Sequence, residues 1–520
     1  TFTVFIGGGG TPATSSFAYA DNVFTRRVVK DTGIMLDISS AGGASQRERL
    51  NLLLSTGDYP DLIISGSISL NDMNYYADQG IFIALDPYDP MSFRNIKAAY
   101  DEFPALNEVT RGTDGKLYAL PQVNDCIHCT YGQGRIFYYM PWARDNNRQI
   151  PRTLDEFTAY LRWIQENDLN QNGKKDEIPL AFDKANTKNL IAFFAKSYMP
   201  FVWTGSYFGL ALNNRQVTEQ YKDSRFRESL AYLAGLYKEG LIMKDSFTLD
   251  VDQMKGLAGS NPAVVGVPAL NWIQGYASHL AVPGVETFNL PPLKGPDGQQ
   301  NAGNQDPWSI MGPAYFITDK CKDPELAIAL YDYLINFDVE LDGYTGPKGI
   351  GWDDPDPGAV SLMAEKPIWK ALVNYGTQPH NSSWEQANPM IRSTAFRLGA
   401  QATGALEAKE WFATGNPALR DSMLKNGTYT QMFFYFSTLE VLKYGMPNDL
   451  FIPPLALNEA DNARISDINA VLEPYKEQAC VEFITGIRNI NNNADWNTYL
   501  ADLDRMGSKD LVSILQRYIK

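Results

Sequence analysis

The sequence predicts an α/β protein folded in more than one lobe, and three observations carry that reading. Its 520 residues exceed what one core organises; at ~100–200 residues per domain, two to four domains or lobes follow. Near the amino end a strand, a helix and a second strand come at the spacing of a β-α-β unit, which implies a parallel sheet. Apolar residues at 44% and charged residues at 20% are ordinary globular chemistry, which excludes a disordered tail, a collagen and a coiled coil.

The first strand is expected over residues 1–6, where Thr alternates with apolar residues. Glycines 7–10 and Pro12 stop it. That run is not a phosphate loop, because neither G-x-x-x-x-G-K-[ST] nor G-x-G-x-x-G is completed. Glycine there lets backbone come close to a ligand or to a neighbouring strand. A second strand is expected over 32–38, a helix over 46–54 stopped by Gly57, and a short apolar strand over 61–64. Parallel sheets of this kind place ligands at the carboxyl ends of their strands.

Residues 114–121 (DGKLYALP) read as a turn entering a strand. Thr153 and Glu156 make a capping box, and the helix it opens carries Phe157, Tyr160, Leu161 and Ile164 on one face. Further helices are expected over 228–239, stopped by Gly240, and from Pro324, where proline suits the first helical position. Two carboxy-terminal stripes, Trp496/Tyr499/Leu500/Leu503 and Leu511/Ile514/Leu515/Tyr518, read as helices whose aromatics fill a core. Residues 291–298 and 343–358 are Pro/Gly-rich loops, the second long enough to be functional or to lie at an inter-lobe crossing.

Charge and motifs exclude several function classes. Lys and Arg number 45 against 60 Asp and Glu, a net charge of −15, with no clustered basic surface, so nucleic acid is a poor partner. No apolar run approaches the ~18 residues of a membrane span. The chain starts at Thr1 rather than Met, as a processed or trimmed chain does. A load of 10 Trp, 28 Tyr and 26 Phe suits flat ligand surfaces or a large core. Cys126 and Cys129 have metal-ligand spacing, yet no second ligand pair follows at zinc-finger distance, so a local disulfide or two buried thiols are the plainer readings. H-E-x-x-H, G-x-S-x-G and the P-loop are all missing. A glycosidase needs only two carboxylates, and Asp353, Asp354 and Glu385 lie among Trp352 and Trp384. Against it, no series of eight strand–helix repeats marks a barrel.

One local pattern is sharp. Asp168, Asn170 and Asn172 fall at positions 1, 3 and 5 of a loop with Gly173 at position 6, as in the first half of an EF-hand. Alternate spacing aims every second side chain inward, and position 7, Lys174, ligates through its carbonyl. Position 12 is Pro179 rather than a bidentate Glu, so Asp176 and Glu177 are the candidate closing carboxylates. The following residues, 178–182, look like a strand and not an exiting helix. The expectation is a structural Ca²⁺ staple.

These segments resemble the large extracellular solute-binding lipoproteins of bacterial ABC sugar importers. In style the chain is similar to their long, calcium-carrying oligosaccharide binders, which include the alginate-binding proteins. The resemblance rests on residues 52–61 (LLLSTGDYPD), 114–121, 151–157 (PRTLDEF) running into the calcium loop, 236–242 (LYKEGLI), 291–298 and 483–486 (FITG). It implies two discontinuous lobes around a central cleft, the periplasmic-binding-protein-like fold. Residues 1–125 with a returning segment of about 310–370 would form the amino-terminal lobe. Residues 126–305 would form the other lobe with the calcium loop, completed by 371–520 and its helical tail. It also implies an oligosaccharide ligand, an ABC permease as partner, a monomer, and a lipid-anchored or periplasmic location. The family's calcium ligands fall on Asp168, Asn170, Asn172, Lys174, Asp176 and Glu177. Asn271-Trp272 occupies the place of a family Asp-Trp whose ring stacks on sugar, with Asn replacing Asp. Residues 136–144 also depart from the family pattern.

Sugars offer flat C–H faces to aromatic rings and hydroxyls to polar side chains. Loop-placed aromatics are therefore the candidates: Trp203, Trp272, Trp308, Trp352 and Trp384. Asn271, Gln305, Asp306, Asp353, Glu385 and Arg392 are the polar candidates beside them. The expected function is non-catalytic capture of an oligosaccharide for a permease. A glycan-cleaving hydrolase or lyase, and a peptide-binding protein of the same fold, are the alternatives.

Overall fold

The computed structural model describes residues 1–8, 18–42, 45–65, 67–125, 135–203, 208–270, 287–303, 308, 310–373, 379–402, 404–414, 416–425 and 439–519. The chain divides into two compact units. One comprises Thr1–Cys126, Trp308–Thr403 and Pro453–Glu459; the other comprises Ile127–Pro307, Gly404–Ile452 and Ala460–Lys520. The sequence reading ended the returning segment near residue 370. In the structure it continues to Thr403, because the two-residue strand Ile391–Arg392 joins the first unit's sheet.

That sheet has six strands in the order Ile391–Arg392, Leu120–Asn124, Met311–Ile317, Leu62–Ser65, Phe2–Gly8 and Leu36–Gly42. The three amino-terminal strands run parallel, and Met311–Ile317 is antiparallel to both its neighbours. Both faces are covered, as a parallel sheet requires. Phe2, Val4, Ile6, Leu62, Ile64, Tyr315 and Ile317 enter one core, while Phe5, Ile63 and Phe316 enter another. The amino-terminal strand is thus apolar on two faces, not one. Register is pinned at the exposed end, where Thr3 Oγ1 donates to Asp61 and accepts from its backbone N–H.

Helix Val23–Thr32 follows the first strand, and Gly33 closes it at φ +72°. The strand expected over 32–38 therefore begins only at Leu36, since helix and cap occupy its first residues. Helix Ser45–Thr56 stops at Gly57, as expected. The loop expected from residue 343 also starts late, because helix Phe337–Thr345 takes its first three residues.

The second unit is mainly helical. Short strand pairs, Ile178–Ala181 with Val265–Pro268 and Phe137–Tyr139 with Thr287–Asn289, accompany a hairpin of Leu210–Asn213 and Gln216–Glu219. Helix Leu154–Glu166 opens on the Thr153/Glu156 capping box and buries Phe157, Tyr160, Leu161 and Ile164. Trp496, Tyr499, Leu503, Leu511, Ile514 and Leu515 are buried on helices Asn493–Arg505 and Ser508–Tyr518. Among the described residues no helix is long and apolar enough to cross a membrane.

Candidate ligand-binding site

The strands of the first unit bring a row of polar groups to one end of the sheet. Gly7 is paired with Ser65, and Arg392 lies opposite Asn124, the last residue of its strand. The amide of Gln46 donates to Ser65 Oγ at 2.8 Å and to Ser67 Oγ at 3.0 Å. This amide explains Gly7, since a Cβ there would stand 2.4 Å from Gln46 Nε2. The close neighbours of such a Cβ at Gly7 are Gln46 and, at 2.8 Å, Ser65 Oγ of the adjacent strand, while Gly9 and Gly10 lie outside the described residues. Asp125 accepts from the backbone N–H of Thr394 at 3.0 Å and from its hydroxyl, and Asn124 accepts from Arg397. Carboxyl ends of parallel strands are where such sheets hold ligands.

Arg392 is fully buried at this end. Its guanidinium carbon sits 4.2 Å from the centre of the Tyr344 ring, and Nε, Nη1 and Nη2 have no hydrogen-bond partner. Burial, with repulsion from Arg397, pulls its pKa down to about 10. Glu340, one helical turn before Tyr344, is buried too, and Ile391 N–H donates to it at 3.3 Å. Burial raises its carboxyl to about 7 against the opposing pull of Arg392, the Ile391 N–H and Arg397. Both amide atoms of Asn388 are buried without partners.

In the second unit a chain of side chains leads from the carboxyl end of strand Ile178–Ala181. Asp183 accepts from Asn186, Asn186 accepts from Asn189, and Asn189 accepts from Trp203 Nε1, at 2.8, 2.8 and 3.0 Å. Asp183 is fully buried and its Oδ1 has no partner. Sequence reasoning missed Asp183; its place directly after an apolar strand is the signal that could have found it.

The expected tryptophans separate into different roles. Trp384 is 1% exposed, edge-on to Phe24 at 5.1 Å, within the core cluster of the first unit. Trp352 is 2% exposed, and its N–H donates to Asp342 at 2.6 Å. Both are core residues, so their expected stacking role is corrected: each ring is enclosed by its own unit. Glu385 is also enclosed, at φ +49°. Trp203 is held by Asn189 and Phe208 and is nearly buried. Trp308 is half-buried against the first core. Asp353 is half-buried and accepts from the Asp354 N–H. Asn271, Trp272, Gln305, Asp306, Cys126 and Cys129 lie outside the described residues.

The 168–177 loop gathers its oxygens around Gly173, at φ +83°. Asp168 accepts from the N–H groups of Asn172 and Gly173, and Asn172 Oδ1 accepts from Lys174 N–H. The Asn172 amide faces Asp176 at 3.0 and 3.2 Å. Glu177 turns back to accept from Leu169 and Asn170 N–H through Oε1, leaving Oε2 buried without a partner. Among the described residues no group of three or more His, Cys, Asp or Glu is arranged to hold a metal. The donors here are mixed carboxylate and amide oxygens. An orphaned carboxylate oxygen beside them fits a hard cation.

No protein-family model matches the chain. It is similar to the fructooligosaccharide ABC transporter substrate-binding protein FusA of Streptococcus pneumoniae serotype 4, being 23% identical over 507 residues, 96% of this chain and 86% of the relative. The solved structure of FusA with kestose covers 100% of this chain and 98% of that one, at TM-score 0.70 and 20% identity. FusA is also solved as an EF-hand mutant in complex with fructo-nystose. An extracellular solute-binding protein from Bifidobacterium longum subsp. infantis matches at TM-score 0.76 and 16% identity, over 100% of this chain and 98% of that chain. Alginate-binding protein AlgQ2, solved without calcium ion, matches at TM-score 0.59 and 17% identity, over 100% and 97%. These relatives are substrate- or solute-binding proteins. The α/β solute-binding fold expected from the sequence is the fold the chain shares with them.

Proposed function

We propose that this chain is the substrate-binding component of a bacterial ABC importer. It captures an oligosaccharide, leaves it chemically unchanged and delivers it to the transmembrane permease subunits. The observation that carries the reading is the row of polar groups at the carboxyl end of the first unit's sheet, from Gln46 and Ser65 to Asn124 and Arg392. That row sits in a chain whose fold matches oligosaccharide-binding relatives over nearly its whole length. Amides, hydroxyls and a guanidinium are the groups that recognise sugar hydroxyls. Trp203 and Trp308 are the described candidates for contact with sugar faces, and Trp272 joins them by its family position.

The test is calorimetric titration against tri- and tetrasaccharides and a set of peptides, with an assay for new reducing ends. Saturable binding of an oligosaccharide with no new reducing ends supports the reading. Turnover, or binding of peptides alone, overturns it.

The 168–177 loop holds Ca²⁺ as a structural staple in the second unit. Its ligands are Asp168, Asn170, Asn172, the Lys174 carbonyl, Asp176 and Glu177. The orphaned Glu177 Oε2 supports this, as does the EF-hand of a relative with the same fold. The protein works as a monomer on the outer side of the cell membrane, lipid-anchored or periplasmic.

A further inference from the structure

Resting on that reading, we infer that the first unit contains an anion-recognition subsite formed by Arg392 and Arg397, and that the captured oligosaccharide is acidic and presents a carboxylate there. Arg392 is fully buried, and apart from its contact with the Tyr344 side chain none of its three guanidinium nitrogens has a hydrogen-bond partner in the protein. A guanidinium has five N–H donors, and removing them from water without acceptors carries a large desolvation penalty. Its carbon lies over the Tyr344 ring at 4.2 Å. Stacking engages the face of the group and leaves the in-plane N–H fork for a bidentate acceptor.

Charge points the same way. The titratable groups that act on Arg392 are Arg397, Tyr344 and Glu340; two cations, Arg392 and Arg397, thus face one carboxylate, which is itself pushed towards its neutral form. A neutral sugar would leave this excess positive charge buried, whereas a uronate carboxylate neutralises it. Position agrees as well, since Arg392 lies opposite Asn124 at the end of its strand. The protein's overall acidity does not oppose this, because recognition is set by local charge.

The experiment is calorimetric titration with trigalacturonate, trimannuronate and triglucuronate, each beside its carboxyl-reduced neutral counterpart, with acetate as the free-anion control. At least one acidic trisaccharide should bind tenfold or more tighter than its reduced counterpart. Arg392→Gln and, at a half-buried position, Arg397→Gln should each erase that preference, while Arg392→Lys keeps part of it. Thermal melts confirm that the variants fold. The inference is overturned if no acidic sugar is preferred, if acetate competes as well as the sugar, or if the preference survives in a folded Arg397→Gln protein. Tight binding of neutral sugars alone would sink this inference and leave the proposed function standing. Binding of no oligosaccharide would sink both.

Discussion

The indole N–H of Trp384 donates to the hydroxyl of Thr25 at 2.8 Å, joining residues 359 positions apart in sequence. Thr25 passes the interaction on to the Tyr19 carbonyl at 2.5 Å. Nearby, Asn22 caps helix Val23–Thr32 and donates to the Ser383 carbonyl at 2.7 Å. The return segment is thus stitched to the start of the first helix. Trp384→Ala should cost about 3–5 kcal/mol, the usual range for deleting a buried aromatic. Urea unfolding measures it. A change below about 1 kcal/mol, together with weakened sugar binding, would return Trp384 to the ligand and remove it from the core.

Calcium should be visible as stability of the second unit. Chelation by EDTA is expected to lower the melting temperature, and added Ca²⁺ to restore it in proportion to RT ln(1 + [L]/Kd). Asp168→Ala should melt like the chelated protein and stop responding to Ca²⁺. An unchanged melt in EDTA would reduce the loop to a turn held by its own Asx hydrogen bonds.

Local signals with one cause were legible in the sequence. The Thr153/Glu156 box, the Gly57 stop and Pro324 each act within a few residues, and each marks a helix end in the structure. The strand at 61–64 was legible because three consecutive apolar residues, Leu62, Ile63 and Ile64, suit a strand buried on both faces. Trp352 and Trp384 were misassigned because loop placement says nothing of burial, and their partners Asp342 and Thr25 are chosen by tertiary packing. Helix Glu459–Thr485, the longest described, escaped notice for two reasons. Pro474 interrupts its pattern, and Lys476 occupies a buried place beside Leu472, Ala479, Cys480 and Phe483.

Lys476 itself is testable. It is 1% exposed, with Nζ 3.3 Å from Glu219 and 3.0 Å from Glu473. Burial lowers its pKa, but the two carboxylates outweigh it and hold the ammonium above its ordinary value. Lys476→Met leaves Glu219 buried without its counter-ion, which should cost about 3–5 kcal/mol. Adding Glu219→Gln should recover much of that loss, because the stranded charge is removed as well. Chemical denaturation of the single and double variants decides; equal losses in both would show that only packing is at stake.

Glu340 sets a pH dependence whose sign follows from its burial. Its carboxyl is raised from 4.5 to about 7 in the folded protein. Below 4.5 it is protonated in folded and unfolded chains alike, and contributes no slope. Between 4.5 and 7 the unfolded chain loses this proton first and binds fewer protons, so stability falls as pH rises. Above about 7 both states are ionised and the loss is complete, at about 3 kcal/mol for a shift of this size. Glu340→Gln keeps an acceptor for the Ile391 N–H and removes the titration. It should match wild type at pH 4.5 and be more stable by up to that amount at pH 7.5, read from urea midpoints across the range. Parallel stability curves for the two proteins would place the Glu340 carboxylate in contact with water or with a counter-ion that keeps its ordinary pKa.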